Sequence, residues 1–369
     1  MVKIRLEIDL STTQTREESW VSEDHEVRGG LLERLDRGPV VCAEGYLFEL
    51  ERRGYLQAGG YVPEVVLAHP EKVRELHREF VHAGSDVVEA FTYYAHREKL
   101  RLVGKEELLE RINRQALALA HEVALESGTL CAGNVCNTNV YVGEQSDARV
   151  RAMFEEQVGW AVDEEVDFVI GETFSWLGEA VVATEVIKDA GLPAVVTLVP
   201  HRDPATREGV QPAEACKLLE QAGADVVGLN CSRGPATMLP LLEAIRSAVS
   251  THVAALPVPY RTHPAQPSFQ SLRDSRVAEL PDGRSFPTAL DPFTCTRYEI
   301  AAFAEAARAL GVGYLGVCCG AGPHHIRSMA EALGRTPPAS RYSADMSKHA
   351  YFGTDKAVRP EYREYAGEL

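Results

Sequence analysis

No stretch of the 369-residue sequence approaches the roughly 20 consecutive apolar residues that a bilayer-spanning helix needs, so a membrane-embedded role is not expected. Basic charge is scarce. Lys and Arg total 38 against 54 Asp and Glu, a formal net charge of -16. Nucleic acid and anionic membrane surfaces recruit partners through a basic face, and neither is an expected partner here. Cysteine is sparse as well, eight in all, without the spacing of a disulfide scaffold. That pattern suits a reducing compartment. The opening MVKIRLEIDLSTTQTREESW turns acidic and polar after Lys3 and Arg5, where a signal peptide would place its apolar core, and a cytoplasmic location is the expectation. What is present is ordinary globular composition, 45% hydrophobic and 25% charged, with enough chain for a large core.

Short apolar runs rich in Val and Ile recur between longer segments of helical periodicity, the pattern of parallel strands joined by crossover helices. The runs are Val40 to Ala43, Asp86 to Phe91, Thr129 to Ala132, Asp167 to Gly171, Ala194 to Leu198, Asp225 to Leu229, Val253 to Leu256 and Tyr314 to Val317. Helical patterns include Glu71 to Ala83, Lys105 to Ser127, Ala213 to Gln221 and Arg297 to Leu310. The junctions Ala83-Gly84-Ser85-Asp86 and Ala222-Gly223-Ala224-Asp225 nearly repeat, a glycine ending a helix just before a buried strand. Eight such strands predict a single (βα)8 TIM barrel. It is expected over residues 26–337, with an N-terminal extension over 1–25 and a tail over 338–369 that covers a barrel end or dresses a homo-oligomer contact. Pro257 to Thr296 breaks the rhythm and reads either as a long loop over the barrel mouth or as a solvated insertion.

Catalytic groups of such barrels lie at the carboxyl ends of the strands, and here those ends are polar. The runs are followed by Glu44-Gly45-Tyr46, Thr92-Tyr93-Tyr94, Asn134, Glu172-Thr173-Phe174, Asn230-Cys231 and Cys318-Cys319-Gly320. Three cysteines thus converge on one rim. Three thiolates are soft ligands that suit zinc and leave one tetrahedral position open, the arrangement of a catalytic site; the bland alternative is that Cys318 is core and Cys319 a bystander. Gly320 and Gly322 supply the backbone freedom that adjacent ligands require. Tyr93 and Tyr94, with Tyr46 and Tyr61, read either as core packing or as an aromatic box for a cation. Glu172 reads as the partner of a ligand ammonium group or as one half of a rim salt bridge. His324 and His325, after Pro323, suit a capping or anion-facing role better than metal ligation.

The stretches Gly228-Leu229-Asn230-Cys231 and Gly316-Val317-Cys318-Cys319-Gly320, followed by Pro323-His324-His325-Ile326-Arg327, resemble the zinc motifs of the homocysteine S-methyltransferase family. His69-Pro70-Glu71 to Phe80, Ala83-Gly84-Ser85, Phe91-Thr92-Tyr93-Tyr94-Ala95 and Phe48 to Gly59 resemble its betaine-using branch, and the likeness runs from about Val41 to Arg341. The resemblance implies that Cys231, Cys318 and Cys319 ligate zinc, that Glu172 holds the amino group of homocysteine, and that Tyr93 and Tyr94 border the methyl donor. The sequence also departs from the family. Tyr61 stands where the betaine branch has tryptophan, and Thr173 where the family has tyrosine. Glu44-Gly45 stands where the family reads Asp-Gly-Gly, and Glu44, Gly45 and Asn230 are expected to contact substrate; the acid is displaced by one place and its role is open. The C-terminal extension that helps the vertebrate-type enzyme associate is shortened, which leaves the oligomeric state open.

The activity implied is methyl transfer from a betaine-like onium donor to the thiolate of homocysteine, giving methionine and dimethylglycine. Such a donor leaves as a neutral amine and needs no general acid, and aromatic faces each worth roughly 0.5–2 kcal/mol hold it. Methylfolate would need its leaving nitrogen protonated and a second large pocket. S-methylmethionine, dimethylsulfoniopropionate or another betaine are rival donors, kept in play by Tyr61. A zinc-binding barrel without catalysis is a third reading, in which replacing Glu172 is harmless.

Overall fold

In the computed structural model, which describes residues 29–276, 281–356 and 359–369, eight parallel strands close in chain order into one barrel. They are β1 (Val40–Ala43), β2 (Val87–Glu89), β3 (Leu130–Cys136), β4 (Phe168–Phe174), β5 (Ala194–Leu198), β6 (Val226–Asn230), β7 (His252–Leu256) and β8 (Tyr314–Val317). Closure runs through four pairs between β1 and β8, from Val40 with Tyr314 to Ala43 with Val317. The expected TIM barrel is the fold observed. The expected extension over 1–25 lies outside the described residues. Among the described residues no helix is long and apolar enough to cross a membrane.

The strands read as unbroken apolar runs because one face meets the barrel interior and the other the helical jacket. The helix Pro70–Ala83 shows how the jacket is specified. Val73, Leu76, His77, Phe80 and Ala83 are buried at helical spacing, Pro70 opens the first turn, and Gly84 closes the helix at φ 110°. Gly223, at φ 102°, closes the second copy of that junction in the same left-handed region.

Several boundaries differ from the sequence expectation. β2 stops at Glu89 because the Thr92 amide turns back to the Ala90 carbonyl at 2.8 Å, and Tyr94 enters the left-handed region at φ 61°. β3 and β4 run farther than expected, pairing Asn134 with Ile170 and Cys136 with Glu172. The helix expected from Lys105 begins as a 3-10 turn, Glu106–Leu108, before Leu109–Ser127.

The described residues of the segment Pro257 to Thr296, namely 257–276 and 281–296, form a packed cover, which overturns the solvated alternative. Tyr260, Phe269, Leu272, Leu290 and Cys295 are all buried. Phe269 stacks on Tyr260 at 5.9 Å between ring centroids and reaches Phe48, just after β1, at 6.2 Å. In the tail, the Tyr351 ring meets Tyr362 at 5.3 Å, while Tyr342, Met346 and Phe352 remain exposed.

Candidate active site

Strand ends place the candidate residues around one cleft of ≈ 370 Å³, open solvent at its mouth included. Its lining holds Glu44, Glu89, Tyr93, Glu172 and the three cysteines. Cys231 follows β6 and the Cys318-Cys319 pair follows β8. Their sulfur atoms lie within 4.8 Å of one another. Backbone hydrogen bonds fix the two turns: the Cys231 amide donates to Leu256 O and the Cys318 amide to Pro257 O, both at 2.9 Å.

The backbone around the cleft adopts conformations that side chains rarely tolerate. Tyr61, Tyr94, Thr173, Cys231 and Ser232 all have φ between 51° and 61°. Each such residue costs free energy that the surrounding packing must offset, and such residues cluster where a side chain has to be aimed. Glycine serves close approach here. A Cβ on Gly45 would sit 2.2 Å from the Ala321 carbonyl oxygen, and one on Gly320 2.2 Å from the Tyr260 hydroxyl. Gly45 therefore lets the β1 end press against the cysteine turn. Arg52 ties that turn to the cover, donating to Tyr260 Oη at 2.7 Å and to Gly320 O at 3.3 Å.

Hydrogen bonds from Cys318 and Cys319 hold the Cys231 thiol well below its ordinary value, and hydrogen bonding to Cys231 raises both of the others. Three thiols this close are a soft donor set that a zinc-like ion completes by displacing their protons. The residues present therefore fit a metal ion.

Glu172, buried within β4, is held from three directions. Asn134 Nδ2 donates to Oε1 at 2.7 Å, and Asn230 Nδ2 and Thr173 Oγ1 donate to Oε2 at 2.7 and 3.0 Å. Asn230 Oδ1 also accepts from the Thr173 amide at 3.0 Å. Asn230 thus anchors Glu172, and its own side chain is fully buried and not among those lining the cleft. Burial pushes the Glu172 carboxyl up to about 7 against those hydrogen bonds. Glu44 lies beside it with neither oxygen hydrogen-bonded, and burial followed by the Glu172 charge drives its carboxyl well above the usual carboxylate range.

The tyrosines divide. Tyr93 lines the cleft. Tyr94 packs behind it, ring centroids 4.4 Å apart, with Lys99 Nζ 4.6 Å above its ring. Tyr61 packs 6.0 Å from Phe48, and burial pushes its hydroxyl up to about 12. His325 caps its helix. Its Nδ1 accepts from the Gly322 amide at 3.2 Å and its Nε2 faces Cys295 O at 3.1 Å, while burial lowers its pKa to about 4. Neither His324 nor His325 belongs to a metal-capable group among the described residues.

The sequence expectation passed over Glu89, buried at the end of β2, and left Asn134 unassigned. The available signal was an acid inside an otherwise apolar run, Val87-Val88-Glu89-Ala90-Phe91, which burial penalises unless it meets a partner.

A carboxyl whose pKa is raised on folding binds its proton more tightly in the native state, so its contribution to stability is present at low pH and is lost as pH rises above the ordinary carboxylate range. Glutamine at position 44 has no such dependence. In chelator-treated protein, the thermal midpoint of Glu44→Gln should exceed that of the native sequence by a margin that widens from about pH 5 to about pH 8. A constant margin across that range would show that Glu44 carries no charge strain.

A parallel barrel with three thiols gathered beside carboxylates and a tyrosine at its strand ends defines a TIM barrel whose strand-end cleft could hold a metal ion. The chain belongs to the homocysteine S-methyltransferase family, whose model matches residues 41–333. It is 38% identical over 341 residues to betaine–homocysteine S-methyltransferase 1 of Xenopus tropicalis, covering 88% of this chain and 80% of that one. It is 36% identical over 354 residues to the S-methylmethionine–homocysteine S-methyltransferase of Rattus norvegicus, covering 92% and 91%. The metallated form of the homocysteine methyltransferase MmuM from Escherichia coli shares the fold, with a TM-score of 0.62 at 18% identity over 81% of this chain and 98% of that one.

Proposed function

We propose that this chain moves a methyl group from a betaine-like onium donor to the thiolate of homocysteine, giving methionine and dimethylglycine. The observation that carries the reading is the thiol trio, its sulfurs within 4.8 Å, at the edge of a cleft walled by Tyr46, Leu47, Phe91 and Tyr93 and bearing buried carboxylates. Cys231, Cys318 and Cys319 would hold zinc. When bound, zinc supplies an acceptor thiol that is deprotonated at neutral pH.

The remaining work falls to side chains. Glu172, held by Asn134, Asn230 and Thr173, accepts from the ammonium of homocysteine and orients its sulfur. The Tyr93 face, with Tyr61 and Tyr94 around it, borders the onium group, and Leu47, Ala90 and Phe91 exclude water from the reacting pair. The sulfur attacks the methyl carbon in line, and the amine leaves neutral without a proton from the protein. In this reading residues 26–337 are the homocysteine-binding unit; among the described residues of the tail over 338–369, none lines the cleft.

The relative from rat is named for S-methylmethionine as donor and the one from Xenopus for betaine, and the chain is similar to both. The decisive assay is methionine formation by zinc-loaded protein with betaine, dimethylsulfoniopropionate, S-methylmethionine and methylfolate side by side. Turnover is expected with betaine and absent with methylfolate. A preference for S-methylmethionine would keep the acceptor and replace the donor; no turnover with any of the four, despite bound zinc, would favour a metal-binding barrel without catalysis.

A further inference from the structure

Hydrogen-bonding capacity around the cleft is unevenly used. A carboxylate accepts at about four positions. Glu172 uses three of them, Glu89 uses one through Asn134, and Glu44 uses none. Asn134 spends its amide hydrogens on Glu89 and Glu172 and leaves its own Oδ1 unpartnered. The unpartnered atoms are therefore Glu44 Oε1 and Oε2, Glu89 Oε2 and Asn134 Oδ1, on side chains no more than 6% exposed. With the two carboxyls ionised, all four are acceptors. Among the lining side chains the Tyr46 hydroxyl is also unpartnered, and it can serve as acceptor too.

Glu44 joins the two halves of this arrangement. One of its oxygens lies within 4.8 Å of ligand atoms of Glu172 and Cys318, and one within 4.8 Å of those of Cys42 and Glu89. Buried acceptors converging on one cleft fit a compact cation bearing several N–H donors, and an ammonium group offers three.

Resting on the reading of homocysteine as acceptor, we propose that Glu89 is a substrate-binding and specificity-determining residue. With Glu44 it forms the open side of a three-carboxylate cradle for the acceptor's ammonium, while Glu172 is the side already secured by Asn134, Asn230 and Thr173. The chain then selects among thiols by their free amine.

Glu89→Gln tests this with little threat to folding, because the new side chain keeps an oxygen for Asn134 and turns an amide hydrogen toward Glu44. Zinc-loaded protein is assayed with homocysteine and with mercaptobutanoate, the same thiol without the amine. The substitution is expected to lower kcat/KM for homocysteine by about 10- to 100-fold, chiefly through KM, the range of one lost charge-assisted hydrogen bond. Mercaptobutanoate turnover and zinc content should be unchanged, and the melting temperature should not fall. If mercaptobutanoate reacts too slowly to follow, inhibition by methionine and by its des-amino analogue gives the same comparison. An equal loss on both thiols, or none on homocysteine, would overturn the role of Glu89. Failure of the acceptor reading shows separately, as a native-sequence protein that methylates neither thiol.

Discussion

Cys318→Ser should lose bound metal and methyl transfer together. Cys318 is buried, its sulfur belongs to the group within 4.8 Å, and its amide is already engaged with Pro257 O at 2.9 Å, so the turn keeps its shape when only the sulfur changes. A serine hydroxyl is a harder ligand on a shorter bond and is not ionised at neutral pH, which leaves two thiols where three are needed. Loss of a mere outer-shell partner of a metal ligand costs about 10- to 100-fold, so loss of the ligand itself is expected to cost at least about 100-fold in kcat/KM. Metal per chain by plasma mass spectrometry and methionine formation, read on the same preparation, check it. The unfolding midpoint in chelator should stay close to that of the native sequence. Full activity without stoichiometric metal would remove the thiol trio from the mechanism.

Gly228→Ala is the second large effect, and it acts through the backbone. A Cβ at Gly228 would lie 2.0 Å from the Ala254 carbonyl oxygen, 2.7 Å from its carbon and 2.8 Å from its nitrogen. All three atoms belong to β7, so no side-chain rotation relieves the clash and the strands must part. Gly228 pairs with Ala254 two residues before Asn230, which pairs with Leu256. Parting them there moves Asn230 away from Glu172 and Cys231 away from its partners. Overpacking in a core costs about 1–3 kcal/mol when side chains can give way, and a backbone clash is expected at or above the upper end. Urea unfolding should show a markedly lower midpoint, with metal affinity reduced in the surviving folded protein. An unchanged midpoint would mean that β6 and β7 have slack that their register does not show.

Much of the barrel was legible beforehand because its determinants are local. Three of the apolar runs, Val40 to Ala43, Ala194 to Leu198 and Tyr314 to Val317, coincide with β1, β5 and β8, and the Gly84 and Gly223 junctions close their helices as expected. Where boundaries slipped, a non-local contact or a local turn intervened. β4 continues through Glu172 to Phe174 by pairing with β3 and β5, and β2 ends early on the Thr92 turn.

The candidate site was legible in part. Polar residues directly after apolar runs, Cys231 and the Cys318-Cys319 pair among them, stand out along the sequence. Glu89 did not, because inside an unbroken apolar run no alternation marks which side chains face the axis. Gly45 was expected at a substrate contact, yet its crowding against Ala321 is a packing constraint that no local pattern carries.

The sequence by itself determined the class of elements, their order and the chemistry available at each strand end, since helical and strand periodicity, glycine caps and soft sulfur ligands are properties of neighbouring residues. Only the tertiary structure decided which of those ends meet. Closure of β1 on β8 brings Glu44 to Cys318, and β6 places Asn230 beside a cysteine 88 residues later. The structure alone also showed that Glu172 is nearly saturated while Glu44 is bare, because hydrogen-bond capacity is used up by whichever donors the closed barrel brings within about 3 Å.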